Sequence, residues 1–230
     1  MYFTFNGISS GDVGAIVLKQ PPFVAAARRV AEVHTYGKDY RTKKDYGAIP
    51  YIMYMDILVE DIRKIDDVKG WLRGKGFFTR SDYPGRRLYV EIQSQLNFER
   101  IADNLYKCNL GIWVQYPFWI GLSDDWLRIT NNITNAGTYR SLPQLRIQGT
   151  TNTRCEITIG QDKFAYSFPS GETEVFIDSR EKTITNAYGE SRMMQAEIGY
   201  NFPVLQPGNN SVSATGSNIT IDVRRHDTWI

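Results

Sequence analysis

The stretch that most limits what this chain can fold into is its C-terminal part, where turn chemistry recurs at short intervals. Gly160, Pro169-Ser170-Gly171, Asp178-Ser179-Arg180, Asn186 with Gly189, and Gln206-Pro207-Gly208-Asn209-Asn210 all interrupt it. Gly supplies left-handed backbone, Pro removes a ladder donor, and Asn and Asp bond their own backbone, so long regular elements stop at these points. Between them lie short runs: Cys155–Ile159, Lys163–Phe168, Glu174–Ile177, Thr183–Thr185, Val204-Leu205, Ser211–Ala214 and Ile219–Arg224, the last with Ile219, Ile221 and Val223 on one side. Many short strands with regular turns predict a β-sandwich.

The segment leading into it, Ile129–Gly149, opens a second unit. Asn131, Asn132, Asn135 and Gly137 tolerate turn and left-handed geometry, which predicts a linker. Pro143 cannot donate to a ladder and belongs at a strand's start or edge. Behind it, Leu145 and Ile147 alternate with Gln144, Arg146 and Gln148, the period of a half-buried strand. The expected division is therefore 1–127 and 128–230, with the boundary between Asp124 and Thr134.

The first part alternates strands with one helix. Tyr2–Phe5, a turn at Asn6-Gly7, Val13–Leu18 closed by Pro21-Pro22, and Arg28–His34 read as three strands. Tyr51–Glu60, YIMYMDILVE, is apolar at most positions, which predicts a strand covered on both faces. Ile65, Val68 and Leu72 then fall at helical spacing, with Trp71 broadening the apolar face. Asp66 and Asp67 suit the positive end of a helix dipole, Lys69, Arg73 and Lys75 the negative end, and Gly74 or Gly76 a C-terminal cap. Gly70 inside the pattern costs about 1 kcal/mol relative to Ala. Ser81–Gly85 is a turn joining Phe77–Arg80 to Arg87–Leu96, and Leu105–Phe118 is a further long strand. The fold class is mainly β: a β-rich α+β chain with an N-terminal β domain and a C-terminal β-sandwich.

Tyr36–Gly47, YGKDYRTKKDYG, has four Lys/Arg, two Asp, three Tyr and no aliphatic residue. It reads as a solvated loop or hairpin, or as an arm docking on a partner through Tyr40, Arg41, Lys43 and Lys44, since Tyr and Arg supply interface contact area. Asp39 and Asp45 dilute the field that phosphate binding needs.

Several function classes find no support. Net charge is +2, and residues 1–127 hold 17 Lys/Arg against 15 Asp/Glu while 128–230 hold 10 against 10, so neither part has the basic surplus of a nucleic-acid binder. The opening MYFTFNGISSG lacks a basic, then apolar, leader, and no stretch reaches the length of a membrane span. Cys108 and Cys155 fit free thiols in a reducing cytosol. With His34 and His226 they make no pair at ligand spacing, so no metal is expected. There is no Gly-x-Ser-x-Gly elbow, no Walker phosphate loop and no cofactor motif, and the acids at Asp66-Asp67 and Asp124-Asp125 suit caps and turns better than a glycosidase pair. Neither catalysis nor a cofactor is expected. Carbohydrate binding by the sandwich is the stronger alternative. Tyr166, Tyr188, Tyr200 and Trp229 could stack on a sugar, with Arg154, Arg192, Glu190 and Asn186 bonding hydroxyls; Tyr166, Tyr188 and Arg192 are the leading contacts. The same aromatics read more readily as core or interface residues.

Taken in order, four features resemble the distal tail protein of long-tailed phages of Gram-positive bacteria. They are the opening FTFNGISSGDVG with a strand ending in prolines; the Trp71-Leu72 helix followed by Gly and a hairpin; the pattern of Asn135, Gly137, Pro143, Ile147 and Gly149; and FIDSREKTI near Asp178, followed by FPVLQPGNNSVSATG. The resemblance spans most of the chain. It implies a ring-forming N-terminal domain and a galectin-like C-terminal sandwich. It also implies a homo-hexamer, in one ring or two stacked rings, joining the major tail tube protein, the tape-measure protein and the tail-associated hub or baseplate protein. DNA would pass through the channel without specific binding. It further implies assembly in the bacterial host cytoplasm, residence at the virion tail tip, no membrane partner, and an arm at 36–47 reaching a neighbouring subunit.

Overall fold

The structure, a computed structural model, describes residues 1–24, 27–34, 41–93, 95–198 and 202–230, with side chains for all of these except 28–29, 31–34, 41–47 and 198. It divides into two compact units, Met1–Trp119 with Ile230, and Ile120–Trp229.

The first unit contains β1 (Phe3–Phe5), β2 (Ile8–Ser9), β3 (Ala15–Lys19), β4 (Arg28–His34), β5 (Arg41–Ala48), β6 (Tyr51–Val59), helix α1 (Lys64–Trp71), β7 (Gly74–Arg80), β8 (Arg86–Ile92), β9 (Phe98–Ala102) and most of β10 (Leu105–Gly121). Its main sheet runs β2-β1-β7-β8-β10-β6-β3, with β9 also on β10. The Asn6-Gly7 turn has φ of 52° and 81°, the positive values a tight hairpin turn needs. Asn6 Oδ1 then accepts from the Phe77 N–H at 3.0 Å, in space that a Cβ at Gly76 would fill. Helix α1 buries Ile65 and Val68, and Leu72 just beyond it. Its Trp71 stacks on Phe3 with centroids 5.2 Å apart, and the indole N–H donates to the Phe5 carbonyl.

One expectation changes here. β6 buries Met53, Met55, Ile57 and Val59 but leaves Ile52 and Tyr54 exposed, at 48% and 58%. The unbroken apolar run predicts two covered faces; this antiparallel sheet buries one. Of the segment read as a loop, hairpin or arm, residues 41–47 belong to β5. Strands β4 and β5 form a two-stranded ribbon that pairs with no other strand among the described residues.

The second unit contains β11 (Leu127–Ile129), β12 (Asn132–Asn135), β13 (Gln144–Gln148), β14 (Arg154–Ile159), β15 (Asp162–Ser167), β16 (Glu174–Asp178), β17 (Thr183–Asn186), β18 (Ala196–Ile198), β19 (Gly208–Thr215), β20 (Thr220–Arg224) and β21 (Thr228–Trp229). Two five-stranded sheets, β11-β20-β13-β16-β17 and β12-β19-β14-β15-β18, make a sandwich. Alternate residues from both fill one core: Leu145, Ile147, Val175, Ile177, Ile184, Ile221 and Val223 from the first, Ile133, Ile157, Ile159, Phe164 and Val212 from the second. The chain is thus mainly β, as its composition and turn spacing predict.

The expected linker is partly a strand. Asn132 to Asn135 is β12, paired with β19. Asn135 is 1% exposed; its amide donates to the Tyr139 and Leu205 carbonyls, and its Oδ1 accepts from the Gly137 N–H. Gly137 answers to close approach, not to left-handed backbone: a Cβ there would lie 2.1 Å from the Thr228 carbonyl oxygen. Within this unit the Gly121 N–H donates to the Asp227 carbonyl at 2.9 Å.

Candidate binding face

A sheet with one face in the core turns its alternate residues to solvent, and strand register decides which of them become neighbours. In the first sandwich sheet this gives transverse rows. Arg224, Gln144, Asp178 and Thr183 stand side by side across β20, β13, β16 and β17; Asp222, Arg146, Phe176 and Thr185 form the next row; Thr220, Gln148 and Glu174 form a third.

Side-chain hydrogen bonds link neighbours within each row. The Gln144 amide donates to Asp178 at 2.6 Å, and Arg224 Nη1 reaches Gln144 Oε1 at 3.4 Å. Arg146 holds Asp222 Oδ2 through Nε and Nη2, while Arg128 on β11 donates to Oδ1. Thr220 donates to Gln148, whose amide donates to Glu174. Asp222 is 3% exposed. Burial opposes its ionisation, and the hydrogen bonds from Arg146 and Arg128 outweigh burial, holding its carboxyl below the usual carboxylate range.

Trp126, just before β11, lies over this face. The guanidinium carbon of Arg224 sits 4.5 Å from its ring centroid, that of Arg146 5.3 Å, and the Phe176 ring 6.1 Å. Beneath it opens a groove of about 350 Å³, walled by Trp126, Phe176, Thr183, Thr185 and Arg224 and floored by Gln144 and Asp178. A planar cation stacked on an indole keeps its N–H edge pointing outward, the geometry that takes a carboxylate.

A second polar cluster lies at the end of β17. Arg192 pairs with Glu172 and Glu190, and the Asn186 amide donates to both carboxylates. The hydrogen bonds from Arg192 lower the carboxyl of Glu172 and that of Glu190. These contacts hold a turn whose tip is Tyr188, 88% exposed.

The residues expected to contact sugar separate. Tyr166 is 1% exposed and meets Phe168 edge-on at 4.9 Å, so its ring has no face for a pyranose; its position on β15 points into the core. Tyr188 is exposed, and Arg192 is engaged by Glu172 and Glu190, the two carboxylates that also accept from the Asn186 amide. Arg154 pairs with Glu156 and Glu197 on the other sheet, Trp229 is half-buried on β21, and Tyr200 lies outside the described residues. Of the expected arm contacts, Arg41, Lys43 and Lys44 fall on β5, opposite His34, Glu32 and Ala31 of β4. Their side chains, and Tyr40 altogether, lie outside the described residues. The Trp126 groove was not anticipated from sequence. The period-two pattern of β13 and β20 marks Arg146 and Arg224 as outward, but only the register of four strands brings them beside Phe176 and under Trp126.

Both cysteines are buried and unpaired. Among the described residues no group of His, Cys, Asp and Glu could hold a metal ion, and no helix is long and apolar enough to cross a membrane.

Compared with solved structures, the chain aligns over 99% of its length with 98% of the SPP1 Dit (gp 19.1) protein, at TM-score 0.70 and 17% identity. This chain has the Dit fold. The SPP1 protein is described as a paradigm of the hub adsorption apparatus in phages that infect Gram-positive bacteria. A chain of the phage P2 baseplate in its activated conformation with Ca aligns over 100% of this chain and 99% of its own, at TM-score 0.57 and 7% identity. The same baseplate with Sr gives 0.50, also at 7% identity. No protein-family model and no curated protein matches the sequence.

Proposed function

We propose that this chain is a structural hub protein of a phage tail tip, a homo-hexameric ring that joins the tail tube to the tail-tip or baseplate proteins and leaves a channel for DNA. One observation carries the reading: the fold match to SPP1 Dit runs end to end through both units, covering 99% and 98% of the two chains. A shared sandwich alone would have aligned only the second unit. The role is geometric and non-enzymatic. A cyclic assembly repeats one heterologous contact until it closes, and the β4–β5 ribbon, outside both main sheets, is an element suited to reach a neighbouring subunit. In this reading Tyr40, Arg41, Lys43 and Lys44 sit in that subunit interface. The partners are the major tail tube protein, the tape-measure protein and the hub or baseplate protein, and the location is the virion tail tip. With near-balanced charge, the channel would pass DNA without holding it.

Light scattering on the purified chain, followed by negative-stain imaging, tests the reading. A hexamer or two stacked hexamers with a central hole is the expected result. Replacing Tyr40, Arg41, Lys43 and Lys44 together by Ala should lower the mass, and an unchanged ring would remove that interface. Tight, salt-sensitive binding of duplex DNA by the ring would count against a passive channel. The carbohydrate-module alternative is not favoured: the structures the chain matches are a hub and a baseplate, and Tyr166 is sealed in the core.

A further inference from the structure

We propose that the groove beneath Trp126 binds a carboxylate next to an apolar side chain, as an acidic peptide segment of a partner protein presents it. The inference stands on the sheet face alone and does not depend on ring formation.

Charge on that face is the first argument. Arg128 and Arg146 are both neutralised by Asp222. Arg224 stands in the neighbouring row with no carboxylate within ion-pair distance among the described residues, and its Nε is buried without a hydrogen-bond partner. Among the described residues its single polar contact is the long one to Gln144. That Nε faces inward, so a carboxylate from outside would meet the Nη1–Nη2 end of the half-exposed guanidinium and accept from both groups bidentately. Contact with the Trp126 ring at 4.5 Å already restrains the guanidinium, so less side-chain freedom is lost on binding.

The occupancy of the remaining groups selects the ligand class. A sugar needs several free donors and acceptors at once. Here Gln144 and Asp178 bond each other, and Asp178 Oδ1 also accepts from the Arg180 and Glu181 N–H groups. Free hydroxyl chemistry on the groove wall reduces to Thr183 and Thr185, beside the Phe176 and Trp126 rings. One open cation, two aromatic surfaces and about 350 Å³ suit an acid flanked by an apolar residue.

The carboxylate could come from a chain terminus or from an acidic side chain, and calorimetric titration of the full chain separates these. The probes are acetyl-Gly-Phe with a free C-terminus, acetyl-Gly-Phe-Glu-amide, its neutral counterpart acetyl-Gly-Phe-Gln-amide, and glucuronic acid. At least one acidic peptide should bind saturably, about tenfold or more tighter than the neutral one, a difference of about 1.4 kcal/mol. Tighter binding of the first peptide assigns a terminus, and of the second a side chain. Arg224→Gln should abolish the preference for the acid. Arg224→Lys, which keeps the charge and loses the fork, should weaken it, with unchanged far-UV circular dichroism for both variants. Equal binding of the acidic and neutral peptides, binding unchanged by Arg224→Gln, or no saturable binding of either acidic peptide would each overturn the proposal. Glucuronic acid binding tighter than both acidic peptides would overturn it in favour of an acidic sugar.

Discussion

Gly137 and Thr228 meet backbone to backbone: a Cβ on Gly137 would stand 2.1 Å from the Thr228 carbonyl oxygen and 2.5 Å from its nitrogen. The same carbonyl accepts from the Tyr139 N–H at 3.0 Å. No side-chain rotation can relieve a clash with main-chain atoms. Gly137→Ala should therefore cost about 3 kcal/mol by urea unfolding. Gly70→Ala is the opposite case. Nothing lies within 4 Å of its Cβ position, and the residue sits inside α1, so the substitution should stabilise by about 1 kcal/mol.

Asp222→Asn should destabilise the sandwich by about 2 kcal/mol at neutral pH, through loss of charge-assisted hydrogen bonds to Arg146 and Arg128. The figure stays moderate because the Arg128 side chain is 51% exposed and water takes over part of its solvation. Because the folded carboxyl is held below its unfolded value, the wild-type advantage is full above about pH 4 and is lost as pH falls through the lower, folded pKa. Urea midpoints of the two proteins, compared down the acid range, check both size and direction.

Tyr166→Phe should be neutral or stabilising by up to about 1 kcal/mol, since the buried hydroxyl has no hydrogen-bond partner to lose. Burial first, and the Glu172 carboxylate second, push its phenol up to about 12. Stability linked to it is present below about pH 10, the unfolded value, and lost as pH rises toward the folded one. The variant should be spared that alkaline loss in a thermal melt series, whereas an unchanged alkaline profile would place the titration elsewhere.

Asn135→Ala should cost about 2 to 3 kcal/mol. It removes three hydrogen bonds, those to the Tyr139 and Leu205 carbonyls and the one from the Gly137 N–H, in a site where the residue itself is 1% exposed. Asn135→Asp keeps the acceptor and loses both donors, so it should fall at least as far in chemical denaturation at neutral pH.

Local signals in the chain are legible wherever one residue type answers one local need. Turn residues and period-two runs place β13, β14, β16 and β20 within a residue or two, and Ile65, Val68 and Leu72 place α1. Asn135 and Gly137 show where local reading stops. Both look like linker residues, yet their work is done against Leu205 and Thr228, far along the chain, and no nearby residue advertises it. Ile52 and Tyr54 mislead for a related reason: an apolar run does not say how many of its faces are covered. Tyr166 looks like a surface platform until its register on β15 aims it inward. The Trp126 groove needs four strands aligned before it exists at all.

The hydrogen bond between Gly121 and Asp227 has a mechanical consequence. It ties the chain entering the second unit to the chain leaving it, with Gly137 and Tyr139 seated against Thr228 close by. A pull applied between those two ends loads this clasp first, one bond at a time, and the core of the sandwich carries no tension until the clasp has opened. Under force the weakest link is then a small, reversible one at the doorway, and the two sheets behind it would stay intact through repeated loading.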